Sequence, residues 1–448
     1  MNEFFGSLWW LLVSLGVLIT IHEFGHFWVA RRCGVKVLRF SIGFGKALWK
    51  RTGRDGTEYV IAAIPLGGYV RMLDEREGDV APHDARHAFN RQSVWRRIAI
   101  VVAGPLANLL LCVALLWAMF VIGRPDYAPV IGAVEGIAAR AGVREGDTVL
   151  AVGGRAVATW TEVEAALLPA ALDREDVALA VRTAAGDTAT RTLRLSQLPR
   201  TLDELRAVRG IGLVPRHFVP PPVIDAVVGP PALGVLRPGD RLLVVDGAPI
   251  RRWQDIAPLV QAAGTRGVPV RLEVERAGRR ISAQLRPQPQ VREGERYWAL
   301  GIQSRAPEHD AVLRHAPLAA MPAAAREAAH QTGELFAMIG RAFSGKVSVQ
   351  NTVAGPLTIA RAANAFAQQG PAWFLSMLAL LSLSLGILNL LPIPILDGGH
   401  LLYYLIELIK GSPVSERVMA AGQYVGLAVI VGLMGLAFYN DIVNNLVR

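Results

Sequence analysis

A chain of 448 residues has room for about three domain-sized units, and 52% of its residues are hydrophobic, with a mean hydropathy of +0.33. That excludes an ordinary soluble protein, and a charged content of 19% excludes a bundle made only of membrane helices. The formal charge of +10 would suit a nucleic-acid binder. Its basic residues are not spread like a nucleic-acid footprint, and a cluster of them falls in one short loop, so no nucleic-acid partner is expected.

Four segments are long and apolar enough to cross a hydrocarbon core of about 20 helical residues: Phe4–Ala30, Ile98–Ile122, Trp373–Leu391 and Ala421–Tyr439. The first carries Glu3 in place of a basic leader and shows no small-residue cleavage site, so it reads as an anchor. Arg31, Arg32, Lys36, Arg39, Lys46, Lys50, Arg51, Arg54, Arg71, Arg96 and Arg97 all belong to the loop between the first two spans. By the positive-inside rule that loop is cytoplasmic and both termini lie outside. Cys33 and Cys112 are the two cysteines, and neither pairing nor catalysis is expected of them.

Residues 35–72 read as short strands with glycine turns at Gly43, Gly45, Gly67 and Gly68. Two readings stand: a hairpin lying on the membrane face, or one dipping towards a buried site, which requires protein or water to cover its backbone.

Residues 126–306 are β-rich and contain a repeat. AARAGVREGDTVLAVGGRAVATWTEV at 138–163 is echoed by PALGVLRPGDRLLVVDGAPIRRWQDI at 231–256, with Gly146-Asp147 matching Gly239-Asp240 and Trp160 matching Trp253. A fixed period means two copies of one module, and Val219-Pro220-Pro221-Pro222-Val223 is the stiff connector between them. Past the repeat, Leu335, Phe336, Met338, Ile339 and Phe343 recur at helical spacing. They suit a helix in the outer membrane interface or one packed on the soluble modules.

The chemistry sits in the first span, where Ile21-His22-Glu23-Phe24-Gly25-His26 forms H-E-x-x-H. On a helix, residues four apart share a face, so both imidazoles can hold one metal while the Glu acts as general base. Ionisable groups inside a membrane helix cost about 2–3 kcal/mol each unless paired or hydrated, which makes them functional candidates. A catalytic zinc needs a third protein ligand. His22 lies roughly 25 Å along its span at 1.5 Å per residue, near the cytoplasmic end. The third span also enters from outside and ends in Asn389-Leu390-Leu391-Pro392-Ile393-Pro394-Ile395-Leu396-Asp397-Gly398-Gly399-His400. Pro392 and Pro394 must interrupt the helix, and the depth of the break brings Asp397 level with His22 and His26. His400 is a rival ligand.

H-E-x-x-H in the first span, together with N-x-x-P-x-P-x-L-D-G-G in the third, resembles the site-2 protease family of intramembrane zinc metalloproteases. The tandem insert, whose A-G-[VL]-x-x-G-D pattern resembles PDZ domains of bacterial proteases, points to the regulator-of-sigma-E type. GFG at 43–45, PLGGYVRM at 65–72 and AGPLAN at 103–108 extend the resemblance over essentially the whole chain.

The resemblance implies one Zn2+ on His22, His26 and Asp397, with Glu23 as catalytic base. Asn389, Gly67, Gly68 and Tyr69 would support the substrate or the developing oxyanion. The expected architecture is a multi-pass helical membrane protein with two PDZ-like domains between its second and third spans. Its parts are 1–122 (two spans and the hairpin loop), 126–217 and 222–306 (the PDZ-like domains), 312–372 (a membrane-proximal region) and 373–448 (two spans and the Asp397 motif). The expected place is a bacterial inner membrane, with termini and PDZ-like domains periplasmic and the active site near the cytoplasmic side. The expected partners are the bilayer and single-pass membrane proteins, an anti-sigma regulator or signal-peptide remnants, with peptide ends at the PDZ-like grooves. A non-proteolytic scaffold and a metal transporter are the rival classes.

Overall fold

A computed structural model describes residues 3–199, 208–292, 295–305, 307–344 and 354–442. Four helices are long and apolar enough to cross a membrane. The chain forms two compact units, residues 125–313 and the remainder.

The first span, α1 (Glu3–Arg32), runs unbroken through the H-E-x-x-H motif. A helix satisfies its own backbone, which is what permits it to pass through lipid. Two long strands follow, β1 (Val37–Thr52) and β2 (Glu58–Met72). Their pairing is antiparallel overall, but β2 folds back, so Arg39 pairs with Arg71 on one side and Glu58 on the other. Gly43 permits this sharp bending: its φ is +90°, and a Cβ there would stand 2.8 Å from the Ile64 carbonyl oxygen. β2 also packs along α1. The second span, α2 (Val94–Ile122), lies against α1.

After a short β3 (Arg124–Asp126), the β-rich unit repeats one topology. Its first copy comprises β4 (Ile131–Val134), α3 (Gly136–Arg140), β5 (Thr148–Val152), β6 (Arg155–Ala156), α4 (Trp160–Asp173), β7 (Val177–Arg182), β8 (Thr188–Leu193) and β9 (Leu213–Pro215). The second comprises β10 (Ile224–Val227), β11 (Arg241–Val245), β12 (Ala248–Pro249), α5 (Ile256–Arg266), β13 (Val270–Arg276) and β14 (Arg279–Leu285). A hairpin, β15 (Gln288–Arg292) with β16 (Glu295–Ala299), is inserted before the closing β17 (Ile302–Ser304).

The sheets β6-β5-β7-β8 and β12-β11-β13-β14 share one strand order, and β4–β9 and β10–β17 pair equivalently. Their cores use the same positions: Val149, Val152, Leu179 and Val181 in one, Leu242, Val245, Leu272 and Val274 in the other. The paired aspartates explain the Gly-Asp signature. Asp147 accepts from the Arg144 amide (2.9 Å) and Asp240 from the Arg237 amide (2.8 Å), each closing the turn into its strand.

A final strand, β18 (Ala311–Leu313), precedes α6 (Pro317–Phe343) and α7 (Pro356–Gln369). α6 packs along α2, and the Trp117 indole N–H donates to the Pro317 carbonyl at 3.0 Å. The buried apolar residues of α6 are Ala320, Ala323, Ala324 and Ala328, whereas Phe336 in the apolar stretch further along stays exposed. The remaining helices are α8 (Pro371–Leu390), α9 (Asp397–Lys410) and α10 (Glu416–Ile442). α8 and α10 are the third and fourth spans. α9 was not foreseen: Pro392 and Pro394 end the third span as expected, and a new helix starts at Asp397 with Gly398 and Gly399 in its first turn. They let that turn press on the preceding backbone, where a Cβ on Gly399 would stand 2.6 Å from both Ile393 O and Pro394 Cα.

Candidate metal centre

His22 and His26 lie one turn apart on α1, both buried, with their Nε2 atoms 3.2 Å apart. Asp397, opening α9, places Oδ2 3.1 Å from His22 Nε2 and 3.4 Å from His26 Nε2. Among the described residues these three form the one His/Cys/Asp/Glu group able to share an ion. Asn389, at the end of α8, and His400, one turn into α9, line the same cavity of about 840 Å³. His400 is outside the ligand group.

The three ligand atoms suit zinc on their own geometry. A tetrahedral ion with bonds of about 2.0–2.1 Å has ligand edges of about 3.3 Å, and the observed separations of 3.1, 3.2 and 3.4 Å bracket that value. Asp397 Oδ2 is buried against the two imidazole Nε2 atoms, and a cation among these three electron-pair donors would satisfy all of them.

The second span holds the histidines from behind. His26 Nδ1 donates to the Ile100 carbonyl at 2.8 Å, which leaves Nε2 as the electron-pair donor. Gly104 lies directly under the His26 ring: a Cβ there would meet Nε2, and would stand 2.5 Å from Cε1 and 2.8 Å from Cδ2. Asn108, fully buried, approaches His22 Nδ1 at 3.3 Å. None of these α2 residues was singled out as part of the site from the sequence, although AGPLAN was noted; Gly104 and Asn108, a small and a polar residue in an apolar span, were the available signal. Lower on α2, Arg97 donates to Glu407 at 2.6 Å and lies over the Tyr404 ring, tying α9 and its Asp397 to the second span.

Glu23 stands between the histidines and β2. The Val70 backbone amide faces its carboxylate, and a Cβ on Gly68 would stand 3.1 Å from Glu23 Cγ. Gly67 does not line the cavity. It makes room for the Phe44 ring, which stacks on Tyr69 at 6.2 Å. Tyr69 lines the cavity, and its hydroxyl accepts from Arg39 at 3.2 Å. So β2 presents Tyr69 and Val70 to the same space as the two histidines, Asp397 and Glu23.

A buried pair of imidazoles, a carboxylate and an adjacent Glu at the inner wall of a helical membrane unit define a metal-dependent hydrolase site. The comparisons agree. The sequence profile of peptidase family M50 matches residues 10–433. The chain is 50% identical over 446 residues to a Xylella fastidiosa protein provisionally named a zinc metalloprotease, covering 99% of this chain and 100% of that one. It is 41% identical over 442 residues to the regulator of sigma-E protease RseP of Salmonella typhimurium, covering 96% and 97%. It is also 41% identical over 453 residues to the protein of that name from Escherichia coli, covering 98% and 99%. The chain belongs to peptidase family M50. It is a zinc metalloprotease, a membrane protein with four apolar helices and a β-rich unit.

Proposed function

We propose that this protein is an intramembrane endopeptidase whose zinc is held by His22, His26 and Asp397, with Glu23 as general base. The observation that carries the reading is the convergence of three ligand atoms, two of them on a helix long and apolar enough to cross a membrane, beside a Glu in the same cavity. When bound, zinc supplies Lewis-acid polarisation of a carbonyl and makes a water nucleophilic near neutral pH. Glu23 takes a proton from the attacking water and passes it to the leaving amine. Asn389 faces the same space and is placed to donate to the oxygen that gains charge.

A helical substrate hides its carbonyls in intrahelical hydrogen bonds, so it must unwind locally before attack. The edge of β2 around Gly68, Tyr69 and Val70 takes the unwound segment as an added strand, and Gly68 keeps that edge close to Glu23. A Val70→Pro chain should lose cleavage sharply while retaining zinc, and full activity would remove β2 from the account.

The two β-rich copies act as PDZ-like domains over 126–217 and 222–306. They lie on the periplasmic side of an inner membrane, receive peptide ends or exclude untrimmed proteins, and leave the active site near the cytoplasmic face. Residues 312–372 and 373–448 form the membrane-proximal and second catalytic parts. The substrates are single-pass membrane proteins. Two relatives are named for sigma-E regulation, which favours an anti-sigma regulator cut first outside the membrane, ahead of signal-peptide remnants. The test is reconstitution with a single-pass model substrate and mass mapping of the products. A cut within the apolar segment is expected, and cuts only in the flanks would overturn the assignment.

A further inference from the structure

Resting on that metal-ligand reading, we infer that Asn108 is a positioning residue whose side-chain oxygen fixes the His22 tautomer that offers Nε2 to the metal.

Asn108 is fully buried on α2, and its backbone carbonyl accepts from the Ser382 hydroxyl of α8 at 2.8 Å, so its place is set from both sides. Its amide nitrogen sits 3.3 Å from His22 Nδ1, while its Oδ1 is buried with no hydrogen-bond partner among the described residues. In that orientation the amide donates to Nδ1. His22 must then carry its proton on Nε2, the atom nearest Asp397 and His26, where a lone pair is needed.

Rotating the amide by half a turn exchanges its oxygen and nitrogen with no change in shape, and the hydrogen-bond network decides between the two positions. The turned amide brings Oδ1 onto Nδ1–H, gives the stranded oxygen its partner and frees Nε2. Both histidines would then be held alike from the second span. His26 Nδ1 donates to the Ile100 carbonyl, and His22 Nδ1 donates to Asn108. Acceptors on the far ring nitrogen set a ligand's tautomer and raise its basicity, and removing one lowers metal affinity about 10–100-fold.

The experiment compares the full chain in detergent with Asn108→Leu, Asn108→Asp and His22→Ala. Zinc affinity is read by chelator competition, and the visible spectrum is read after cobalt substitution. Asn108→Leu, with no acceptor, should bind zinc about 10–100-fold more weakly and shift the cobalt bands. Asn108→Asp, which keeps an acceptor, should bind within a few-fold of wild type. Equal losses in both variants, or wild-type affinity in Asn108→Leu, would overturn the inference. A wild type loaded with zinc and labelled with 15N-histidine settles the matter even where Asn108→Leu does not fold, since zinc on His22 Nδ1 would also overturn it. The ligand reading fails separately: if His22→Ala retains zinc at wild-type affinity, the site itself is misassigned.

Discussion

Adding one methyl group at Gly104 should disable the centre without substituting a ligand or the base. A Cβ at Gly104 would stand 2.5 Å from His26 Cε1, whereas ordinary carbon contacts begin near 3.4 Å. The ring must therefore retreat by at least about 0.9 Å, because α1 and α2 are packed together and their backbones cannot part cheaply. If that motion is directed away from α2, the 2.8 Å hydrogen bond from Nδ1 to Ile100 stretches beyond useful length. Overpacking costs about 1–3 kcal/mol and the lost buried hydrogen bond about 1 kcal/mol more. The two together predict a fall of roughly 30- to 700-fold in zinc affinity, at a tenfold change per about 1.4 kcal/mol. The assay is chelator competition on purified Gly104→Ala, beside cleavage of a reconstituted substrate. Wild-type zinc affinity and turnover in this variant would refute the claim that α2 holds His26 in place.

Three further outcomes follow. Gly399→Ala should push the first turn of α9 off Ile393 and Pro394, displace Asp397 and weaken zinc binding at least tenfold, a 1 Å misplacement being enough for larger losses; unchanged zinc content would contradict it. Asp441, buried at the end of α10, accepts from the Leu357 amide and from the amide and hydroxyl of Thr358 at the start of α7. Asp441→Ala should therefore lower stability by about 2 kcal/mol, read as a lower thermal midpoint in detergent, and an unmoved midpoint would show that this cap contributes little. In the β-rich unit, burial raises the Asp240 carboxyl, but hydrogen bonds from Arg276 and the Arg237 amide outweigh it and hold the group below its ordinary range. A lowered folded value stabilises above the unfolded value near pH 4 and is lost as pH falls through the folded one. Asp240→Asn should thus be less stable than wild type at pH 7 by limited proteolysis, with the gap closing below about pH 4; a gap that persists in acid would rule out the charge as its source.

What the sequence made legible follows from how local each signal is. The four spans show because about 20 apolar residues have few other uses, and their observed limits lie within a few residues of those expected. His22, Glu23 and His26 show because helical spacing is fixed. Asp397 was reachable because prolines end the third helix where topology demanded a ligand, and the structure brings all four into one cavity. The repeat was visible in Gly-Asp turns whose buried aspartates do the same work in both copies.

The missing parts depended on contacts between distant segments. Gly104 and Asn108 stand out in an apolar span, but that they and Ile100 hold the histidines shows only once α1 lies on them. α9 was not anticipated because Gly398 and Gly399 lower helix propensity, whereas close backbone approach at its start outweighs that cost. Val70, which faces Glu23, carries no side-chain signal at all because its amide makes the contact.

The most direct test of the central claim compares Glu23→Gln with wild type for bound zinc and for cleavage of a transmembrane substrate in the same preparation. The account predicts equal zinc, an intact fold and no turnover. Cleavage at the wild-type rate by Glu23→Gln would contradict it.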